Sequence, residues 1–466
     1  MLTYQDFLKA SEKEDERKNF IMSAINEHQT SENYLWGVEG MNYIRQKNTT
    51  IMQYRKVLRT LSGRVVPDNF QANHKIASNF FKRAITQTCN YLLGNGVTFD
   101  KPDTKDKMGG DSFDRRMYDS LYESLIGSPS FGFYNNDHVE VFNIREFKPL
   151  WDEEDGSLKA GLRYWQLDKN KPMRVTLYEM DGYTDYVENK DKQLEIRTDK
   201  RPYRLLVKKT ALDGEQIYDG LNYPTFPIVP CWGNKEHQSE LVGLKEEIDG
   251  HDLISSGMAN DMDDVSQIYW IIKNSGGMSE KDLAKFLMRV KTTRTVMTED
   301  DGGEAMPHTI EPPYQSREVY LTRLENAIYY DSMTMNPKDI IAGNVTATAI
   351  KAAYDNLDQK VSEIKHCMEE YIEGLLKVAG IEDKPRFKIK RISNDSETTQ
   401  EVLAAAQYLD AETILRKLPF VEDDEVEDIL DRLTREEAGR YVETGQSKGT
   451  DGQEAKKADK EASEIL

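Results

Sequence analysis

The sequence predicts an α+β, mainly helical chain, and three observations carry that prediction. Over 239–273, 316–335 and 346–380, apolar residues recur every three or four positions, the spacing that places them on one side of a helix. Between about 128 and 230 the period falls to two. There the dipeptides Asp155-Gly156, Asp181-Gly182 and Asp213-Gly214 separate the alternating runs as hairpin turns, so the region reads as an antiparallel meander.

In chain order, residues 2–60 are polar and helix-compatible, with Leu2, Phe7, Leu8, Phe20, Ile21 and Ile25 as apolar anchors. Asn69 is a good N-cap for a helix carrying Ile76, Phe80, Ala84, Thr88 and Tyr91, and Gly94 closes it. Gly94-Asn95-Gly96 lacks the third glycine of a dinucleotide loop and reads as a helix stop. Strands are expected at Val139–Phe142, Leu162–Trp165, Val175–Tyr178 and Tyr203–Val207. The prolines of Tyr223–Pro230 mark a linker.

A long helix follows over Ser239–Lys273, with Leu244, Ile248, Ile254, Met258, Met262, Val265, Tyr269 and Ile272 on its apolar side. Its length would be about 50 Å. Glu246, Glu247, Asp249, Asp252, Asp261, Asp263 and Asp264 occupy its other faces as a solvated surface. Asn274-Ser275-Gly276-Gly277 ends it, and a small insert runs to Pro312-Pro313, with a helical stretch Ser279–Met288 and a strand Thr295–Thr298.

A second helix starts near Ser316, carries Val319, Tyr320, Leu324, Ala327, Ile328 and Met335, and is stopped by Pro337. After a loop over 336–344, a third long helix runs from Thr346 to Gly380. The first two helices, antiparallel about the insert, are expected to form a stalk with a protruding head. A strand-like piece, Pro385–Ile392, precedes helices at Thr399–Leu409, Ala411–Leu415 and Asp424–Ala438, and the composition of 444–464 is that of a disordered tail.

Composition narrows the function. A chain of 466 residues suggests two to four folded units. Its 62 Lys and Arg against 82 Asp and Glu give a net charge of -20, which disfavours tight binding of nucleic acid through clustered cations. Cys89, Cys231 and Cys367 are too few and too far apart for a disulfide framework or a zinc knuckle, so a reducing compartment is expected. No stretch has the length of a signal peptide or of a membrane span.

The motifs of several enzyme classes are missing. There is no G-x-x-x-x-G-K-[ST] loop, so the chain is not itself a nucleotide-driven motor. His28, His74, His138, His237, His251, His308 and His366 show no metal spacing and read as lone surface histidines. Asp261, Asp263 and Asp264 would have to converge to hold the metals of a nuclease, which positions i, i+2 and i+3 of one helix do not allow. The run Asp152-Glu153-Glu154-Asp155 reads as a solvated turn. No catalytic residue, metal or cofactor is assigned.

Several local patterns, in this order, resemble phage portal proteins of siphophages infecting Gram-positive hosts. They are Asn73-x-Lys75 followed by Tyr91-Leu92-Leu93-Gly94; Phe226-Pro227-Ile228-Val229-Pro230, Asn234 and Ser239-Glu240-Leu241; Ile248-Asp249-Gly250-His251-Asp252; Asn260–Asp264; and Glu412–Leu415 with Leu418–Asp423. Gly250-His251 departs from the family's usual aromatic. The resemblance implies a portal-type subunit with an α/β wing (1–236), a long-helix stem (237–274 and 316–335), a small α/β clip (275–315), a tunnel loop and long wing helix (336–380), and a helical crown (381–443), before the tail (444–466).

The resemblance further implies a ring, usually of twelve copies, in the virion at the capsid vertex, assembled in the host bacterial cytoplasm. Its partners would be double-stranded DNA passing through the channel, the terminase large subunit, a head-to-tail adaptor, and the major capsid and scaffolding proteins, with no membrane. Asn336, Lys338, Asp339, Ile340, Ile341 and Asn344 are then expected in the tunnel loop. Leu244, Ile248, Ile254, Met258, Met262, Val265, Tyr269, Leu324 and Ile328 would pack the stem, and Lys281, Lys285, Arg289 and Arg294 would dock partners at the clip. Two alternatives stay open on residues alone: a metal-dependent nucleic-acid-processing enzyme, and a structural adaptor without a channel.

Overall fold

A computed structural model describes residues 1–59, 64–67, 72–210, 216–264, 269–273, 304–308, 314–338, 347–389, 395–418, 420–421 and 425–435. The chain divides into two compact units, Met1–Asn336 with Tyr354–Lys390, and Pro337–Ala353 with Arg391–Leu466.

The first unit opens with four helices, α1 (Tyr4–Ala10), α2 (Glu14–Gln29), α3 (Glu32–Ile44) and α4 (Thr49–Gln53). A capping box starts α1: the Thr3 hydroxyl accepts from the Asp6 N–H, and the Asp6 carboxylate accepts from the Thr3 N–H. Phe7, Phe20, Ile21 and Ile25 are buried from this helical layer and meet Leu150, Leu162, Val175, Leu177 and Tyr186 in one core, whereas Leu8 is exposed.

Those partners come from a five-stranded antiparallel meander in sequence order: β6 (Phe147–Trp151), β7 (Leu158–Trp165), β8 (Arg174–Glu179), β9 (Gly182–Glu188) and β10 (Leu194–Arg201). Period two is plain in β7, where Leu158, Ala160, Leu162 and Tyr164 are buried and Lys159, Arg163 and Trp165 are not. At the β8–β9 turn Glu179 pairs with Gly182, leaving Met180-Asp181 as a two-residue hairpin loop. Strands β11 (Arg204–Thr210) and β12 (Gln216–Leu221) pair as a hairpin, whose Asp213-Gly214 lies outside the described residues.

A second sheet joins β4 (Ser130–Asn135) to β5 (His138–Phe142) and to β13 (Ile228–Cys231), in the order β13-β4-β5. The proline-rich segment expected as a linker therefore contributes a strand. Pro230 fits there because β13 is an edge, where a missing N–H costs no ladder bond. Three helices pack around this sheet: α5 (Phe80–Leu93), α7 (Ser112–Ile126) and the 33-residue Ala347–Ala379, our α10. Gly132 of β4 has no side chain because the Tyr371 ring of α10 occupies the space a Cβ would need, and Tyr371 shares a hydrogen bond with Ser120 of α7. A short β3 (Val97–Phe99) pairs with β16 (Pro385–Phe387) after α10, and α6 (Thr104–Lys107) lies between β3 and α7.

The helices α8 (Lys245–Asp264) and α9 (Tyr314–Asp331) are shorter than their apolar periods suggested. Ser239–Leu244 forms turns, and Tyr269–Lys273 is a strand, β14, paired antiparallel with β15 (Glu304–His308). Tyr269 thus lies on a strand and not on the helix, since an apolar run of this length fits either period until its partner is known. Met335 lies beyond the end of α9, yet is buried. The expected helix 279–288, the strand 295–298 and the tail from 444 lie outside the described residues. At the front, β1 (Val57–Arg59) and β2 (Val65–Pro67) form a small hairpin. Helix α5 begins after Asn79, not Asn69, and Ile76 belongs to an irregular segment before it.

Within the second unit α11 (Asp395–Ala405), a 3-10 turn (Ala406–Tyr408), α12 (Ala411–Lys417) and a helix at 425–435 follow one another. Asp410 caps α12 by accepting from the Thr413 N–H at 3.0 Å.

Candidate functional site

Three sequence patterns far apart in the chain meet along α8. Asp252, Ser256 and Asn260 are spaced by four residues, so they rise up one face of the helix about 6 Å apart. Along that face runs the segment 72–79, whose alternate N–H groups recur about 6.6 Å apart in extended chain. The two spacings nearly match, and the bonds follow: Ser78 N–H to Asp252 at 3.0 Å, Ile76 N–H to the Ser256 hydroxyl at 2.9 Å, and His74 N–H to Asn260 at 2.7 Å. An Asn48 amide also donates to Asp252, and the His74 ring meets Asp263.

One turn earlier, Asp249 accepts from Tyr43, from Thr50 at 2.6 Å and from Lys245 at 2.6 Å. Burial first, and then the bond to Asp249, push the Tyr43 hydroxyl up to about 12. Burial works against the Lys245 ammonium, but Asp249 and Tyr43 outweigh it and hold its pKa above the ordinary lysine value. The acidic surface expected on α8 is therefore largely committed to internal bonds. Asp249 and Asp252 are buried, and Asp261 pairs with Arg317 of α9 while Asp263 turns to His74. The aspartate cluster is directed to different partners, which removes the geometric basis for a shared metal pair there.

Arg317 at the start of α9 meets Asp261 near the end of α8, and Asp331 at the end of α9 meets Glu247 at the start of α8, so the two helices run antiparallel. Burial first, and then Asp331, raise the Glu247 carboxyl to about 7. A carboxyl with a raised folded pKa stabilises the fold below its unfolded value, and that contribution is lost as pH rises through about 7. The Tm is expected to fall between pH 5 and pH 8, and Glu247→Gln, neutral throughout, to remove most of that fall. An unchanged slope in the variant would show that this pair does not carry it.

Of the residues expected to pack these helices, Leu244, Ile248 and Ile328 are buried and Ile254, Met258 and Leu324 half-buried. Met262 is 67% exposed, so it packs against nothing in the single chain, and Val265 lies outside the described residues. Gly250 lets Leu324 approach α8, with a would-be Cβ 3.8 Å from its Cδ1, while Gly257 faces open space. In the loop after α9, Asn336 is buried and Lys338 exposed. Asp339, Ile340, Ile341 and Asn344, and likewise Lys281, Lys285, Arg289 and Arg294, lie outside the described residues.

The root of that loop is held firmly. Gln87 of α5 exchanges hydrogen bonds with the Met335 backbone at 3.2 and 3.3 Å. Lys360 of α10 donates to the Ser332 carbonyl at 2.9 Å and pairs with Glu240 at 2.5 Å. Tyr91 stacks on Tyr354 with centroids 5.4 Å apart and donates to Asp358. Reading the sequence missed Asp249, Asp252, Ser256, Asn260, Gln87, Glu240 and Lys360. The four-residue polar stripe on α8 was a usable signal, whereas nothing local marked Gln87 or Lys360. His28 also departs from a surface reading. It is buried against Tyr34 and Tyr164, bonds the Ile144 carbonyl at 2.7 Å, and is lowered to about 4, chiefly by burial.

An α+β chain whose longest helices brace one another through buried polar bonds, around a loop with a fixed root, defines a structural assembly subunit. The chain belongs to the phage portal protein family of the SPP1 Gp6-like type, whose model matches residues 38–439. It is 26% identical over 385 residues to the portal protein of Clostridium phage phiCD119, covering 76% of this chain and 83% of that one. To the portal protein of Bacillus phage SPP1 it is 24% identical over 445 residues, covering 87% and 84%. Among solved structures it is similar to a chain in the neck of a native gene transfer agent particle computed with C12 symmetry (TM-score 0.41, 11% identity, 73% and 89% covered). It is also similar to an HK97-family phage portal protein from Corynebacterium diphtheriae (TM-score 0.32, 14% identity, 66% and 91% covered).

Proposed function

We propose that this portal-family chain closes into a ring, usually of twelve copies, through which double-stranded DNA is packaged and ejected at the capsid vertex. Family membership across residues 38–439 is the observation that carries the reading. Portal proteins are structural components of the virion, and among the described residues no helix is long and apolar enough to cross a membrane.

A channel that moves DNA must centre it without binding it, because each phosphate neutralised by a cation adds affinity that becomes friction. The net charge of -20 suits that task. In this reading α8 and α9 form the stem, and residues 275–315 form the clip that docks the terminase large subunit and later the head-to-tail adaptor. The loop 336–344 approaches the DNA. Its root, pinned by Gln87 and Lys360, would let the loop move while the wall stays still.

Native mass measurement and negative-stain images test the reading: a large closed ring with a central opening is expected, and a compact monomer at high concentration would end it. Deleting residues 338–341 should leave rings intact and lower DNA packaging at least tenfold. Rings of the deletion variant that package normally would refute the loop's role.

A further inference from the structure

The β1–β2 hairpin is exposed on both faces. Its ladder has three pairs, Val57↔Pro67, Leu58↔Val66 and Arg59↔Val65. Neighbouring positions on a strand point to opposite faces, yet Val65 is 57% and Val66 38% exposed, and Val57 is 59% exposed. A two-stranded hairpin by itself is marginally stable in water, and large exposed apolar patches mark contact sites. The patch continues onto Met52, Tyr54 and Ile76, all exposed. Residues 54–67 also carry Arg55, Lys56, Arg59 and Arg64 and no acid, in a chain of strongly negative charge.

A surface of the opposite character lies between α8 and α9. A groove of about 440 Å³ is lined by Leu253, Ile254, Gly257, Ser316, Arg317 and Tyr320, and exposed Met262 and Val319 lie on the same two helices. Gly257 keeps its floor open. Helices α8 and α9 together hold ten acids against three cations. On α8 this groove sits about a third of a turn round from the face that binds the segment 72–79, beside the hairpin's base. One flank of the chain therefore presents an apolar, basic projection, and another an apolar recess on acidic helices.

We propose that the β1–β2 hairpin of one copy seats in the α8–α9 groove of the next. Two different, complementary patches on one chain make a heterologous contact, the kind that closes into a ring when repeated. The proposal rests on the ring reading above and adds to it which surfaces meet.

The test uses the full chain with Val65→Cys and Ser316→Cys combined and treated with a short bis-maleimide. The assembled double variant should give a ladder of covalent dimers, trimers and larger species, and each single variant should not, since native Cys89 and Cys231 are buried. Rings that form without a ladder overturn the seat and leave the ring reading standing. A chain that never forms rings overturns both. As a second arm, Val65→Glu with Val66→Glu should raise the concentration needed for assembly at least tenfold. If assembly is unchanged and binding of a double-stranded oligonucleotide falls instead, the hairpin's partner is DNA and the seat is wrong.

Discussion

Replacing Asp252 with alanine is expected to destabilise the chain by about 4 kcal/mol, because two or three buried donors lose their acceptor at about 1–3 kcal/mol each. Asp252 is 0% exposed and takes bonds from the Ser78 N–H, from Asn48 and, at 3.4 Å, from His251. No water can replace it without opening the packing between α8 and the segment 72–79. Asp252→Asn, which keeps an acceptor and a similar shape, should cost about 1–2 kcal/mol.

Urea unfolding gives the energies, and amide exchange gives the mechanism. In the alanine variant the N–H groups of His74, Ile76 and Ser78 should lose protection together, because they are steps of one ladder. If only Ser78 changes, the bonds at Ser256 and Asn260 act independently and the ladder description is wrong.

The second large effect is expected at Lys360. Removing one member of a buried ion pair strands the other charge, at a cost of about 3–5 kcal/mol. Lys360 and Glu240 are 10% and 15% exposed, and Glu240 also accepts from Asn234 at 2.9 Å. Burial raises the Glu240 pKa, but Lys360 and Asn234 outweigh it, so the net shift is downward from 4.5. A depressed carboxyl contributes stability above its unfolded value and loses it as pH falls through the folded one.

Lys360→Met should therefore lower stability at neutral pH by about 3–5 kcal/mol and flatten the loss below pH 4.5. Adding Glu240→Leu should recover most of that loss, since an apolar pair of similar volume leaves no charge unpaired. A double variant as unstable as the single one would show that the carbonyl bond to Ser332, not the ion pair, holds this corner.

Much of the secondary structure was legible because local chemistry determines it. The long α10 follows from apolar steps at Tyr354, Leu357, Val361, Ile364, Met368 and Tyr371, all buried, and the meander follows from alternation and Asp-Gly turns. The limits of α8 were not legible. Tyr269 and Ile272 continue its apolar step, yet Tyr269–Lys273 pairs with Glu304–His308, about 30 residues away, and a helix period says nothing about a partner that distant.

The candidate site divides in the same way. Sequence by itself determined the α+β class, the order of elements and the family resemblance, because these depend on periodicity, turn chemistry and short motifs. Tertiary structure alone decided that Asp249 and Asp252 face inward instead of into solvent, and that Asn73-x-Lys75 brackets a segment bound to α8. It also decided that the loop after α9 is rooted by Gln87 and Lys360. The physical reason is that an aspartate on a helix is equally compatible with water or with a buried donor, and which it meets depends on chain some 200 residues away: Asn48 for Asp252, and Tyr43 and Thr50 for Asp249.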